Sequence, residues 1–150
     1  MFTAKDEGHT IIVNEGKDRN EFIITRHSQF VKPINIINVY GDVESRTSVD
    51  VIDRKWEEIM QEISKIEARD EEVILIGDMN KHLSEEKVGG KRSDHGGKLV
   101  EEFLSSGEYI LVNRTDKTKG GPYTRFSPEN PIDEDKKSEL DLVIVSKTLF

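Results

Sequence analysis

The sequence predicts an α/β domain. Three observations carry that prediction: an aliphatic run, Val73-Ile74-Leu75-Ile76, that ends in Gly77-Asp78; a single helical stripe of apolar residues upstream of it; and an alternation of strand-like and helix-like patterns along the rest of the chain. Four consecutive aliphatic residues predict a strand buried on both faces, as in the middle of an α/β sheet. Gly77 predicts a sharp exit of the backbone from that strand. Asp78 and Asn80 would then face the same way from its carboxyl end, where ligands of such sheets gather. An acid that takes a proton, beside an amide that donates hydrogen bonds, suits attack by water on a phosphate. An Asp turn after a core strand is the structural alternative.

The first twenty residues form a polar, turn-rich tract with a short apolar break at Ile11-Ile12-Val13. Glu21 to Arg26 is β-branched and aromatic, which predicts a strand, and Pro33 closes the loop after it. Ile34 to Tyr40 predicts a second strand, and the interval from Tyr40 to Val73 is long enough for a crossover helix. Ser48 is a candidate N-cap for that helix, and Val49, Ile52, Trp56, Ile59, Ile63 and Ile66 form its apolar stripe. Trp56 sits mid-stripe and reads as core packing. After Asn80 comes a polar loop with Gly89-Gly90 and Gly96-Gly97, then a shorter helix from Lys98 to Ser106. Its inward residues are Leu99, Val100, Phe103 and Leu104, and Gly107 is its left-handed stop. Tyr109 to Val112 is another strand. Gly120-Gly121-Pro122 turns into Tyr123-Thr124-Arg125-Phe126, Ser127 to Ser138 is an exposed charged loop, and Leu140 to Val145 is the last strand.

At 150 residues the chain is expected to be one domain or part of one. It has no Cys, so disulfides, thiolate zinc sites and cysteine nucleophiles are excluded. No apolar run approaches the length of a membrane span, and the first residues lack the apolar core of a signal peptide. A nuclear or cytoplasmic location, not secretion, is the expectation. A net charge of −8 argues against nucleic-acid binding by the whole surface, because phosphate neutralisation needs Lys and Arg. Local basic groups do occur, at Lys87, Lys91 and Arg92 and again at Arg114, Lys117, Lys119 and Arg125. Each alone reads as solvated loop charge.

Tyr40 ends a strand in Asn38-Val39-Tyr40-Gly41, Thr124 lies in Tyr123-Thr124-Arg125-Phe126, and Asp141 lies in Ser138-Glu139-Leu140-Asp141-Leu142-Val143-Ile144-Val145-Ser146. In order around Asp78 and Asn80, these segments resemble the endonuclease/exonuclease/phosphatase superfamily. Gly77-Asp78-Met79-Asn80-Lys81-His82 and the strand around Asp141 are most similar to the endonuclease domain of non-LTR retrotransposons, which precedes a reverse transcriptase. The resemblance covers about Glu21 to Ser146. It implies a partial four-layer α/β sandwich, two mixed sheets flanked by helices, filling residues 1–150 as a single partial domain.

The resemblance also implies roles. Asp78 would orient or deprotonate the attacking water, and Asn80 would hold a phosphate oxygen. Tyr40 would contact the phosphate or leaving group, and Asp141 would orient a catalytic His. Thr124, Arg125 and His82 would be substrate contacts. Mg²⁺ or Mn²⁺ is the implied cofactor, with Asp78 and Asn80 as weak ligands, and DNA is the implied partner. Two family elements have no counterpart: the metal-ligating Glu after an Asn-bearing strand, and a closing Ser-Asp-His motif. Neither Asn14-Glu15 nor Asn20-Glu21 reads as the first. Ser93-Asp94-His95 is out of order for the second and reads as a loop tripeptide. The chain is therefore expected to be truncated at both ends, which would expose sheet edges to self-association. Three functions stay open: a Mg²⁺-dependent DNA endonuclease that nicks for target-primed reverse transcription, impaired here; a non-catalytic remnant or binding module; and a phosphomonoesterase or phosphoinositide phosphatase.

Overall fold

The computed structural model describes residues 10–15, 22–42, 46–84, 93–118 and 141–150. Among these residues six strands and two α-helices follow one another as β1 (Thr10–Glu15), β2 (Phe22–His27), β3 (Ile34–Tyr40), α1 (Val49–Glu67), β4 (Glu72–Asp78), α2 (His95–Ser105), β5 (Tyr109–Leu111) and β6 (Asp141–Ser146). The strands make one mixed sheet in the order β1-β2-β3-β4-β6-β5. Only β3 and β4 run parallel, and α1 supplies the crossover between them. The described residues thus form a single sheet, not the two expected from the resemblance. The α/β class stands.

Both helices pack on one face. Phe22 and Ile24 of β2, Ile37 and Val39 of β3, Val73 and Leu75 of β4, and Leu142 and Ile144 of β6 are buried in one cluster with Ile59, Ile63 and Ile66 of α1 and Val100 of α2. The alternation follows from the two-residue period of a strand. The same period corrects the reading of Val73–Ile76 as buried on both faces. Val73 and Leu75 are fully buried, whereas Ile76 is 37% exposed and Ile74 is half-buried, because no described helix covers the second face. Across that open face lie Ile23, Ile36, Ile74, Ile76 and Val143.

Other boundaries shift for local reasons. Ile11-Ile12-Val13 lies in a strand, β1, whose edge position asks for no longer apolar run. Helix α1 starts after Ser48, yet the Ser48 side chain makes no capping hydrogen bond. Trp56 packs against the core and meets Phe103 edge-on at 5.9 Å. Helix α2 begins a turn earlier than the apolar pattern implies, because Asp94 caps it: one carboxylate oxygen accepts from Gly97 N at 2.6 Å and the other from His82 N at 3.0 Å. Ser93-Asp94-His95 is therefore a helix start, not a plain loop. Gly107 has φ +77° just past the end of α2, as a left-handed stop requires. Strand β5 stops at Leu111, and Val112–Arg114 is a 3₁₀ turn. The segments at Tyr123–Phe126 and Ser127–Ser138 lie outside the described residues.

Two contacts fix the carboxyl ends of β3 and β4. Gly77 has φ +143°, and a Cβ there would sit 2.0 Å from the carbonyl oxygen of Val39. A Cβ on Gly41 would sit 2.0 Å from the carbonyl oxygen of Met79. Gly77 thus stays inside the strand and permits close backbone approach; the chain leaves the sheet only after Asp78.

At the opposite end of the sheet, Glu71 joins three elements. Arg26 of β2 donates to it through Nε at 3.0 Å and through a terminal nitrogen at 2.6 Å, and Asn35 of β3 donates at 3.0 Å. Arg69 lies 3.3 Å away. The Arg26 hydrogen bonds hold the Glu71 carboxyl down at about 2, against an ordinary 4.5.

Two expectations follow from these contacts. A lowered carboxylate contributes stability that is complete above about pH 4.5 and is lost as pH falls toward 2, here on the order of 3 kcal/mol. Urea melts between pH 6 and 2.5 should show this acid limb, and Arg26→Leu should flatten it while lowering stability at neutral pH. Separately, Gly41→Ala should cost more than about 2 kcal/mol in the same melts, since the obstructing atom is backbone. Gly107→Ala meets no atom within 4 Å and should cost only the backbone strain of its φ, about 1 kcal/mol.

Candidate functional site

Strand register brings three of the predicted residues together. Tyr40 at the end of β3 is paired with Asp78 at the end of β4, and Asp78 is paired with Asp141 at the start of β6. Residues paired this way on neighbouring strands have side chains on the same face, roughly 5 Å apart at Cβ. All three sit on the open face, one step beyond the row formed by Ile23, Asn38, Ile76 and Val143. Tyr40 is 63% exposed, and Asp141 is exposed as well. Two carboxylates directly opposite one another destabilise a sheet.

Asn80 takes a different part. Its φ is +50°, its backbone N–H donates to Asp78 Oδ1 at 3.1 Å, and its side-chain Nδ2 donates to the carbonyl oxygen of Gly41 at 2.8 Å. Gly41 N–H in turn donates to the carbonyl oxygen of Asp78 at 2.8 Å. The Asp turn weighed from sequence is present, and it also links the two strand ends. One carboxylate oxygen of Asp78 is thereby oriented, and the turn after Tyr40 is held in place. His82 is exposed on the loop beyond, its backbone N–H on Asp94. Thr124 and Arg125 lie outside the described residues.

Asn113 is a supporting residue that the pattern reading missed. Its Nδ2 donates to the carbonyl oxygen of Asp141 at 2.9 Å, and its Oδ1 accepts from Val143 N at 2.7 Å. This side-chain amide continues the β6 ladder where β5 has already ended. An Asn just past a short strand is the only signal for it, and many turns share that signal. Glu101 braces the loop after His82: Ser84 donates to it through N at 2.5 Å and Oγ at 2.6 Å. Burial pushes its carboxyl up, but these hydrogen bonds, one from Ser93 and the Arg114 charge together outweigh burial and leave it below the ordinary range.

Among the described residues no three His, Cys, Asp or Glu side chains gather as a metal site. Glu15 ends β1 and so does follow a strand, contrary to the sequence reading, but β1 lies three strand spacings, ~14 Å, from β4. Asp78 and Asp141 therefore offer two carboxylates without a third. These two carboxylates could hold a Mg²⁺ or Mn²⁺ that keeps several of its waters, and such an ion would neutralise charge on a phosphate.

No protein-family model matches the sequence, and no curated protein matches it. Solved structures do match the fold. A 3'-5' exonuclease, NExo, from Neisseria meningitidis superposes with a TM-score of 0.62 at 17% identity, covering 93% of this chain and 58% of the exonuclease. The endonuclease domain of TRAS1, a telomere-specific non-LTR retrotransposon, gives a TM-score of 0.54 at 14% identity, covering 93% of this chain and 57% of that domain. An endonuclease/exonuclease/phosphatase family protein from Leptotrichia buccalis gives 0.56 at 16% identity, covering 84% of this chain and 42% of its own length. At such identities the likeness is one of fold, and the chain spans between two fifths and three fifths of these proteins. The mixed sheet with its β3–α1–β4 crossover thus shares its fold with part of these two nucleases and of the endonuclease/exonuclease/phosphatase family protein.

Proposed function

We propose that this chain is part of a phosphoester hydrolase acting on DNA, with its reactive end at Tyr40, Asp78 and Asp141. The observation that carries the reading is the register of these three residues on adjacent strands. The retrotransposon endonuclease among the matched structures supports a nicking reaction of the kind that primes reverse transcription. Water attacks phosphorus while the Asp78 carboxylate takes its proton. The bond from phosphorus to the leaving oxygen breaks, and that oxygen takes a proton from solvent water, giving a phosphate monoester and a hydroxyl. Tyr40 donates its O–H to a non-bridging phosphate oxygen, where charge grows in the transition state. Asp141 supplies a second acceptor beside Asp78. Asn80 acts as a positioning residue through Gly41 and the Asp78 carboxylate. Thr124, Arg125 and His82 are the proposed substrate contacts, and Mg²⁺ is the proposed divalent ion of the complete enzyme.

A second reading, a non-catalytic α/β module, draws support from the open apolar face. Ile23 and Ile76 are 39% and 37% exposed on it, beside Tyr40. Contiguous apolar patches of this kind mark association surfaces. In this reading the chain works by joining another copy of itself.

Two measurements separate these readings. Supercoiled-plasmid nicking in a Mg²⁺ buffer should be slowed about a hundredfold or more by Asp78→Ala. It should be unaffected by Glu57→Ala on the exposed face of α1. Nicking that survives Asp78→Ala refutes the assigned site. For the second reading, light scattering behind size exclusion should show a concentration-dependent dimer that Ile76→Lys dissociates. A clean monomer at high concentration rules it out.

A further inference from the structure

On the helix-covered side of the sheet lies a cavity of about 50 Å³. Most of its wall is apolar: Ile52, Trp56 and Ile59 from α1, Leu99 and Val100 from α2, and Val39 from β3. Asp42, Lys55 and Lys81 make the polar part of the wall. Lys81 is only 9% exposed, and its ammonium donates to the backbone carbonyl of Asp42 at 3.2 Å. The Asp42 carboxylate is taken by Lys55. No carboxylate among the described residues pairs with Lys81.

An ammonium carries three N–H donors, and burying one without a counter-charge is costly. The Lys81 stem packs closely on its surroundings. It runs across α2 at Gly96, where a Cβ would meet its Cδ at 2.3 Å and its Cε at 2.5 Å. The sequence thus holds a cation in the wall of an apolar hole and gives it one neutral acceptor. A small apolar body with an anionic head complements both features. Volume sets the size of the body: an engineered cavity of about 150 Å³ takes benzene, so about a third of that space takes a tail of only two or three carbon atoms.

We propose that this cavity binds a short-chain aliphatic carboxylate, its head on Lys81 Nζ and its tail against Ile52, Trp56 and Val100. The site is separate from the phosphoester reading, since it lies on the other face of the sheet. Tyr40, Gly41 and Met79 also line it, so an occupant touches the back of the turn that presents Asp78.

Trp56 is the single tryptophan of the chain and lines the cavity, so its fluorescence reports occupancy. The full chain should be titrated with sodium acetate, butyrate and hexanoate at constant ionic strength, and with 1-butanol. Butyrate should give a saturable change. Acetate, two methylenes shorter, should bind about tenfold more weakly. Butanol, which lacks the charge, should also bind about tenfold more weakly or worse. Lys81→Met should abolish the butyrate response, and Leu99→Phe, which fills the hole, should do so independently if Lys81→Met fails to fold. The proposal is overturned if butyrate gives no saturable change, if butanol matches it, or if the response survives Leu99→Phe. Plasmid nicking plays no part in these readouts, so failure here leaves the hydrolase reading intact.

Discussion

Backbone atoms at the carboxyl ends of β3 and β4 approach so closely that two positions have no room for a side chain. The Val39 carbonyl occupies the place of a Cβ on Gly77, and the Met79 carbonyl occupies that of a Cβ on Gly41. Two hydrogen bonds then join the ends, from Gly41 N–H to the Asp78 carbonyl and from Asn80 Nδ2 to the Gly41 carbonyl. Tyr40 and Asp78 are neighbours because of this closure, and Asp141 joins them because β6 pairs with the other edge of β4. A side chain at either glycine would push the strand ends apart and disperse the group.

Burial on one side only is the second theme. Both helices lean on the face formed by Ile24, Ile37, Val73, Leu75, Leu142 and Ile144, and the Tyr40–Asp78–Asp141 row stands on the other. The open face keeps an aliphatic band under the Tyr40–Asp78–Asp141 row. The two ends of the sheet also treat charge oppositely. Glu71 is surrounded by Arg26, Arg69 and Asn35 and is held ionised for stability. Asp78 and Asp141 face one another across a strand pair, and Lys81 is buried with a single carbonyl.

Much of the fold was legible because it rests on periodicity. The stripe from Val49 to Ile66 gave α1, and Ile34 to Tyr40 coincides with β3 to the residue. The errors share one physical cause. Local pattern does not reveal what covers a strand, so Val73–Ile76 looked doubly buried although Ile76 faces outward. Nor does it show that Asp94 caps α2 by reaching both Gly97 and His82, since the partners lie on separate segments. β1 escaped notice because three apolar residues at a sheet edge leave a weak trace.

The chain's own letters determined the α/β class, the crossover between β3 and β4, and the exit of Asp78 and Asn80 from a core strand, because each depends on neighbours within a few residues. Tertiary structure alone decided that Tyr40, Asp78 and Asp141 stand abreast, that the Asn80 amide is spent on Gly41, and that the Lys81 ammonium is buried without a carboxylate. Those facts are set by strand register and helix packing, which join residues far apart in the chain, 63 positions in the case of Asp78 and Asp141. Short-range propensity carries no record of them.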